Sequence, residues 1–245
     1  MEPVPEHSLQ SDLESKRSDE LQNGSGGDGS SEAAYWLPML IFLGFTWAGG
    51  KWPEYYPASY VAKTILVTLA LVMFWRTVTK IRWHASGLGL IVGIAGTAQW
   101  IGMQLWLEVN FEFFRPTTES FDPTSYFSSA TLFYAFVLTR LAGAVILVPV
   151  MEELFWRDYL WRTMIAPSDF RQVAIGSLDR RAIGIVCIAF ASVHGHCWLT
   201  AIVWSAIIAG LLVRTRSLGA CIVAHATTNL LLAIYVLWTK DWSFW

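Results

Sequence analysis

Residues 136–162, FVLTRLAGAVILVPVMEELFWRDYLWR, constrain this chain more than any other stretch. Residues 141–151 within it form an uninterrupted apolar run. The second half places Glu152, Glu153 and Arg157 directly after that run. In a water-soluble helix such charges would mark a solvated face, so their meaning depends on whether the segment meets water or lipid. Six further apolar runs decide this: roughly 35–50, 57–75, 87–107, 182–199, 200–213 and 218–238. A membrane span needs about 20 apolar residues, and fewer when flanking side chains snorkel. Only 15% of residues are charged, against about 25% in soluble domains, and mean hydropathy is +0.43. The expected fold is all-α: a polytopic membrane helix bundle of about seven transmembrane helices, within a range of six to eight. The runs at 35–50 and 200–213 are the short ones.

Charge divides the chain into two parts. Residues 1–33 hold eight acids and two bases among Gly and Ser. Such a segment has little to bury and is expected to be a disordered acidic tail. Residues 34–239 are expected to form the membrane-embedded domain. No basic and then apolar leader opens the chain, so the first apolar run is expected to stay as an anchor. Basic residues set the orientation. With the N-terminus inside, twelve Lys and Arg fall in inner segments, including Arg76, Lys80, Arg82, Arg171, Arg180, Arg181, Arg214 and Arg216. Three fall outside: Lys51, Arg115 and Lys240. The expectation is an integral protein of a bacterial inner (plasma) membrane with a cytoplasmic N-terminus. The lipid bilayer is its surroundings, and nucleic acid is not expected as a partner. The three cysteines, Cys187, Cys197 and Cys221, have no CxxC spacing and read as small core residues.

Pro149 is expected to kink the long fourth helix and Pro167 to mark its end. The helix should then run on through Glu152 to about Arg162. An ionisable residue at membrane depth points to function, and three constellations follow residue 150: Glu152–Glu153–Arg157, Phe190 to His194 (FASVH) and His225 to Asn229 (HATTN). Glu153 and Arg157, four apart, share a helix face and can pair. Glu152 points about 100° away and is left free. His225 and Asn229 project together, and Phe190 lies beneath His194. At about 1.5 Å per residue, Glu152 stands about 15 Å above Arg162, His225 about 13 Å above Arg216, and His194 about 20 Å above Arg180. These groups can therefore meet near mid-bilayer around water.

Two chemistries suit such a set. A metal, Zn²⁺ for example, held by Glu152, His194 and His225 would activate water. Equally, Glu152 with a histidine would act as general base without a metal, while His225 and Asn229 donate to an oxyanion. The zinc signature HExxH is absent. A transporter or proton relay is the rival reading, though no inverted repeat is visible. Among the blander assignments, Glu153–Arg157 is a structural ion pair and His196 has no catalytic role. Lys63 and Arg140 are expected to snorkel toward the outer surface. Trp47, Trp52, Trp75, Trp83, Trp238, Trp242 and Trp245 form an aromatic belt.

In order and spacing the three motifs resemble the CPBP family, the CAAX prenyl endopeptidases and bacteriocin-processing (Abi) enzymes. Its pattern is EExxxR, FxxxH and HxxxN, read here as EELFWR at 152–157, FASVH at 190–194 and HATTN at 225–229. The resemblance covers roughly residues 130–238. The strings EELFWRDYLWR and LWTKDWSFW are also similar to a bacterial branch called CAAX prenyl protease-related. The resemblance implies an intramembrane endopeptidase acting on a membrane-anchored or lipidated protein. It implies Glu152 and His194 as the water-activating pair, Glu153, Arg157 and Phe190 as their support, and His225 and Asn229 as transition-state stabilisers. A catalytically inactive scaffold or immunity protein of the same family is the alternative.

Overall fold

The computed structural model describes residues 29–117 and 120–244. Most of the acidic tail lies outside these residues. Among the described residues the chain is helical, with no strand. Seven helices carry the architecture: α1 (Gly29–Lys51), α2 (Tyr56–Phe74), α3 (Ser86–Asn110), α4 (Ala130–Ile165), α5 (Arg180–Ser192), α6 (Trp198–Thr215) and α7 (Leu218–Thr239). All but α5 are long and apolar enough to cross a membrane.

The fifth segment departs from expectation. Helix α5 has 13 residues and stops at Ser192, whereas an apolar span to residue 199 was expected. At about 1.5 Å per residue it is only about 20 Å long. Its start is fixed by Asp179, whose carboxylate accepts the Ala182 N–H at 2.7 Å, an N-cap. Its end is set by Gly195, which adopts φ +54°, a conformation glycine takes without a Cβ penalty. A single turn, Gly195–Cys197, then leads into α6.

Helix α4 is unbroken over 36 residues, but two stretches, Gly143–Leu147 and Leu154–Leu160, are wound as π-helix. Around Pro149 the strain of a missing N–H is thus taken up by π winding in the turn before the proline. The bundle has an apolar exterior, and charged groups lie within its largely apolar core. Leu69, Val72, Leu138, Ile146, Ile188 and Ile234 are more than half exposed, while Glu152, Glu153, Arg157, Asp158 and His225 are buried. That distribution suits a lipid surround.

Helices α3 and α7 approach almost to backbone contact. A Cβ on Gly89 would lie 2.4 Å from Ala220 O, and one on Gly93 would lie 2.6 Å from Ala224 O. Small residues let membrane helices come this close, and Thr228 Oγ1 adds a 3.1 Å hydrogen bond to Gly93 O. The crossing fixes the rotation of α7, and so the direction of His225 and Asn229.

One end of the bundle gathers the basic segments. His84 bonds Thr215 O at 2.9 Å, Ser217 Oγ donates to His84 O at 2.7 Å, and Arg171 donates to Thr77 O at 3.3 Å. Arg162 is buried there. It ion-pairs with Asp158 and donates to Val173 O at 2.7 Å and Arg171 O at 3.0 Å. The Asp158–Arg162 pair was not foreseen, although its spacing of four was visible.

Candidate functional site

A cavity of about 520 Å³ runs into the bundle from the end opposite the basic segments. Gly50, His196 and Phe244 stand at its outer part; Glu152 and His225 lie deep within it. Glu152, Phe190, His194, His225 and Asn229 all line it, brought together from α4, the end of α5 and α7.

The two glutamates divide as their spacing predicts. Glu153 is fully buried, with Oε2 3.3 Å from Arg157 Nε. Its other oxygen, Oε1, accepts from His225 Nδ1 at 2.9 Å. Glu153 therefore joins α4 to α7 as well as pairing along α4, a contact between distant segments that no periodicity reveals. Glu152 is 5% exposed, and its Oε2 has no hydrogen-bond partner. Arg157 is held beneath the cavity by Ser205 Oγ at 3.2 Å and by the faces of Phe190 and Trp204, 4.7 and 5.6 Å from its guanidinium carbon.

Each histidine has one nitrogen assigned by its surroundings. His194 lies two residues beyond the end of α5, yet its ring still stacks on Phe190, with centroids 4.2 Å apart. Its Nδ1 is 2.6 Å from Phe190 O. A carbonyl only accepts, so Nδ1 carries the proton and Nε2 of the neutral ring has the lone pair. Against a carboxylate at Glu153, His225 likewise donates through Nδ1, and its Nε2 is left for other work.

Asn229 Nδ2 donates to Ala144 O at 2.8 Å. This bond follows from the π turn. Val148 N–H reaches Gly143 O, five residues back. In the same register Ala144 O would be served by residue 149, which is proline and has no N–H. Asn229 supplies the missing donor and ties α7 to α4. One amide hydrogen remains for another acceptor.

Two tryptophans complete the wall. Trp204 stacks on Phe190 at 5.3 Å and meets His225 edge-on at 4.7 Å, and Trp100 meets His194 edge-on at 5.6 Å. Their only sequence signal was their place within apolar runs rather than at the boundaries. Lys63 and Arg140 are corrected. Neither snorkels to the surface; both are buried and line the cavity. Their nearness to helix ends suggested the surface, but an inward cavity offers a polar alternative.

Among the described residues no three His, Cys, Asp or Glu side chains come together in a group that could hold a metal ion. Glu152, His194 and His225 line one cavity without forming a ready three-ligand set.

Residues 129–231 match the family model "Type II CAAX prenyl endopeptidase Rce1-like". The match begins at the start of α4 and ends within α7, so it contains all three motifs. No curated protein and no solved structure matches the chain.

Proposed function

We propose, from the match of residues 129–231 to a CAAX prenyl endopeptidase family model, that the protein is an intramembrane endopeptidase using Glu152 to activate water. The observation that carries this reading is the buried, unpaired Oε2 of Glu152 in a cavity it shares with His194, His225 and Asn229. A carboxylate kept from other partners is suited to act as a base.

In this reading Glu152 takes a proton from a water that also donates to His194 Nε2. The water oxygen bonds to the scissile carbonyl carbon. The resulting oxyanion is held by the second amide hydrogen of Asn229 and by Nε2–H of His225, which acts here protonated on both nitrogens with its Nδ1–H anchored on the Glu153 carboxylate. As the C–N bond breaks, the proton held by Glu152 passes to the departing amine. These residues carry every step, and none is routed through a metal. The substrate would be a membrane-anchored or lipidated protein able to lay an extended stretch into the cavity.

The test is a comparison of membrane proteomes from cells carrying the wild-type protein and Glu152→Gln. The expected result is at least one membrane-associated protein that stays uncleaved with the variant. Identical proteomes, with both proteins equally abundant, would remove the reading.

A further inference from the structure

We infer that the Lys63 ammonium is an anion site in the cavity wall, and that it takes a carboxylate of the bound peptide. This rests on the peptidase reading for the cavity's purpose, but not for the site's existence.

Lys63 comes from α2, outside the segment that matches the protease family. It is 7% exposed and its ammonium donates to Thr46 Oγ1 at 3.0 Å. The rings of Phe42 and Tyr60 lie 4.3 and 4.4 Å away. An ammonium has three donors; one is used here, and two aromatic faces ease the charge without neutralising it. Among the described residues Lys63 makes no ion pair, and the only carboxylate in the described cavity wall, Glu152, is not within ion-pair reach. Arg140 lies over the same Tyr60 ring, 4.8 Å from its centre, so a second positive charge stands close by. A buried cation without an ion-pair partner costs free energy, so its retention at this depth points to work. Its location supplies that work, because it faces the same cavity as Glu152.

Depth favours a peptide over a lipid headgroup. Lys63 is seven residues into α2 from Tyr56, which puts it about 10 Å below the helix end. A headgroup phosphate belongs at the surface of the hydrocarbon layer, whereas a peptide drawn in toward Glu152 reaches this level. Apolar residues also line the wall, among them Phe42, Leu43, Phe45 and Leu232, and suit apolar peptide residues around one acid.

The experiment is equilibrium binding, read from the concentration dependence of thermal stabilisation of the full chain in detergent. The probes are an N-acylated apolar tetrapeptide with a free terminal carboxylate, its terminal amide, and the amide with one glutamate side chain. The wild-type protein should bind a carboxylate form about tenfold or more tightly than the plain amide. Lys63→Met should erase that difference and Lys63→Arg should keep it. Preference for the free terminus, or for the glutamate side chain, tells which carboxylate is used. The inference is overturned by equal affinity for all three probes, by no binding of any, or by a preference unchanged in Lys63→Met. It is also overturned if an alkyl phosphate, and no carboxylate, binds in a Lys63-dependent way. Because binding is read, a wild-type protein that never cleaves would defeat the peptidase reading and leave this one standing.

Discussion

Glu153 Oε1 lies 2.9 Å from His225 Nδ1, while Glu153 Oε2 lies 3.3 Å from Arg157 Nε. One buried carboxylate thus answers a guanidinium on its own helix and an imidazole on another. It makes His225 Nδ1 a donor and fixes the ring in the cavity wall. Glu152, the next residue, has an oxygen with no such partner. The turn of the helix separates the adjacent acids, one held in a buried network and one with an unpartnered oxygen.

This division predicts an order of damage. Arg157→Ala should harm folding more than Glu152→Ala. It leaves Glu153 short of a counter-charge, at a cost on the order of 3–5 kcal/mol, and also removes the cation that lies over the Phe190 and Trp204 rings. Glu152→Ala deletes a charge that lacks an arginine. Membrane-inserted yield and thermal melting decide it, and equal values for the two variants would contradict the division.

The bond from Asn229 to Ala144 O allows two roles for Asn229 to be separated. Asn229→Ala should lower cleavage by about 10²–10³-fold if the amide also serves an oxyanion, and it should lower the melting temperature. Adding Pro149→Ala returns an N–H that can serve Ala144 O. The double variant is expected to regain melting temperature but not activity. Recovery of both would show Asn229 to be a tie between helices and nothing more.

Much of this arrangement was legible because helical spacing is local. Glu153 with Arg157 follows from a period of 3.6 residues and the six long helices from the length of their apolar runs, whereas Phe190 lies beneath His194 although His194 is past the helix end. What escaped depends on other rules. The π winding of α4 changes the register to five and cannot be read from a period of 3.6. Helix α5 stops early because Gly195 turns left-handed, a backbone choice hidden within an apolar run. The Glu153–His225 contact joins residues 72 apart in sequence. Lys63 and Arg140 were assigned by distance from helix ends, but the cavity that receives them exists only once the helices pack.

The α3–α7 crossing should be intolerant of a single methyl group. Gly93→Ala would place Cβ 2.6 Å from the backbone oxygen of Ala224, so α7 must shift and carry His225 with it. A loss of about 1–3 kcal/mol is expected, with a fall in activity. Gly102, on the same helix, has nothing within 4 Å of an added Cβ. Gly102→Ala should be neutral or stabilising by up to about 1 kcal/mol. Thermal melting of the pair checks this, and equal loss in both would show that the close approach is not the cause.

The contacts that gather residues 75–85, 166–179 and 214–217 at one end predict a common side for them. By the positive-inside rule that side is expected to be cytoplasmic, with the cavity opening away from it. Single cysteines introduced into 166–179 should be labelled only from the cytoplasmic side, and those in 111–117 only from the other. Labelling of both loops from one side would break the arrangement.

The chemical prediction is the sharpest, because Glu152→Gln keeps shape and removes only the carboxylate. Cleavage should be abolished in a protein that inserts and melts as the wild type does. His194→Ala and His225→Ala should also abolish it, the latter with some loss of stability because Glu153 loses a partner. The same preparations separate base from metal. A carboxylate acting on water should be indifferent to a strong chelator, and the purified chain should not need Zn²⁺. A metal centre would give about one ion per chain, lose activity to the chelator and regain it with Zn²⁺. That outcome would reassign Glu152, His194 and His225 as ligands drawn together by the ion. Full activity in Glu152→Gln on a purified substrate would falsify the base and metal versions alike, since both depend on the same carboxylate.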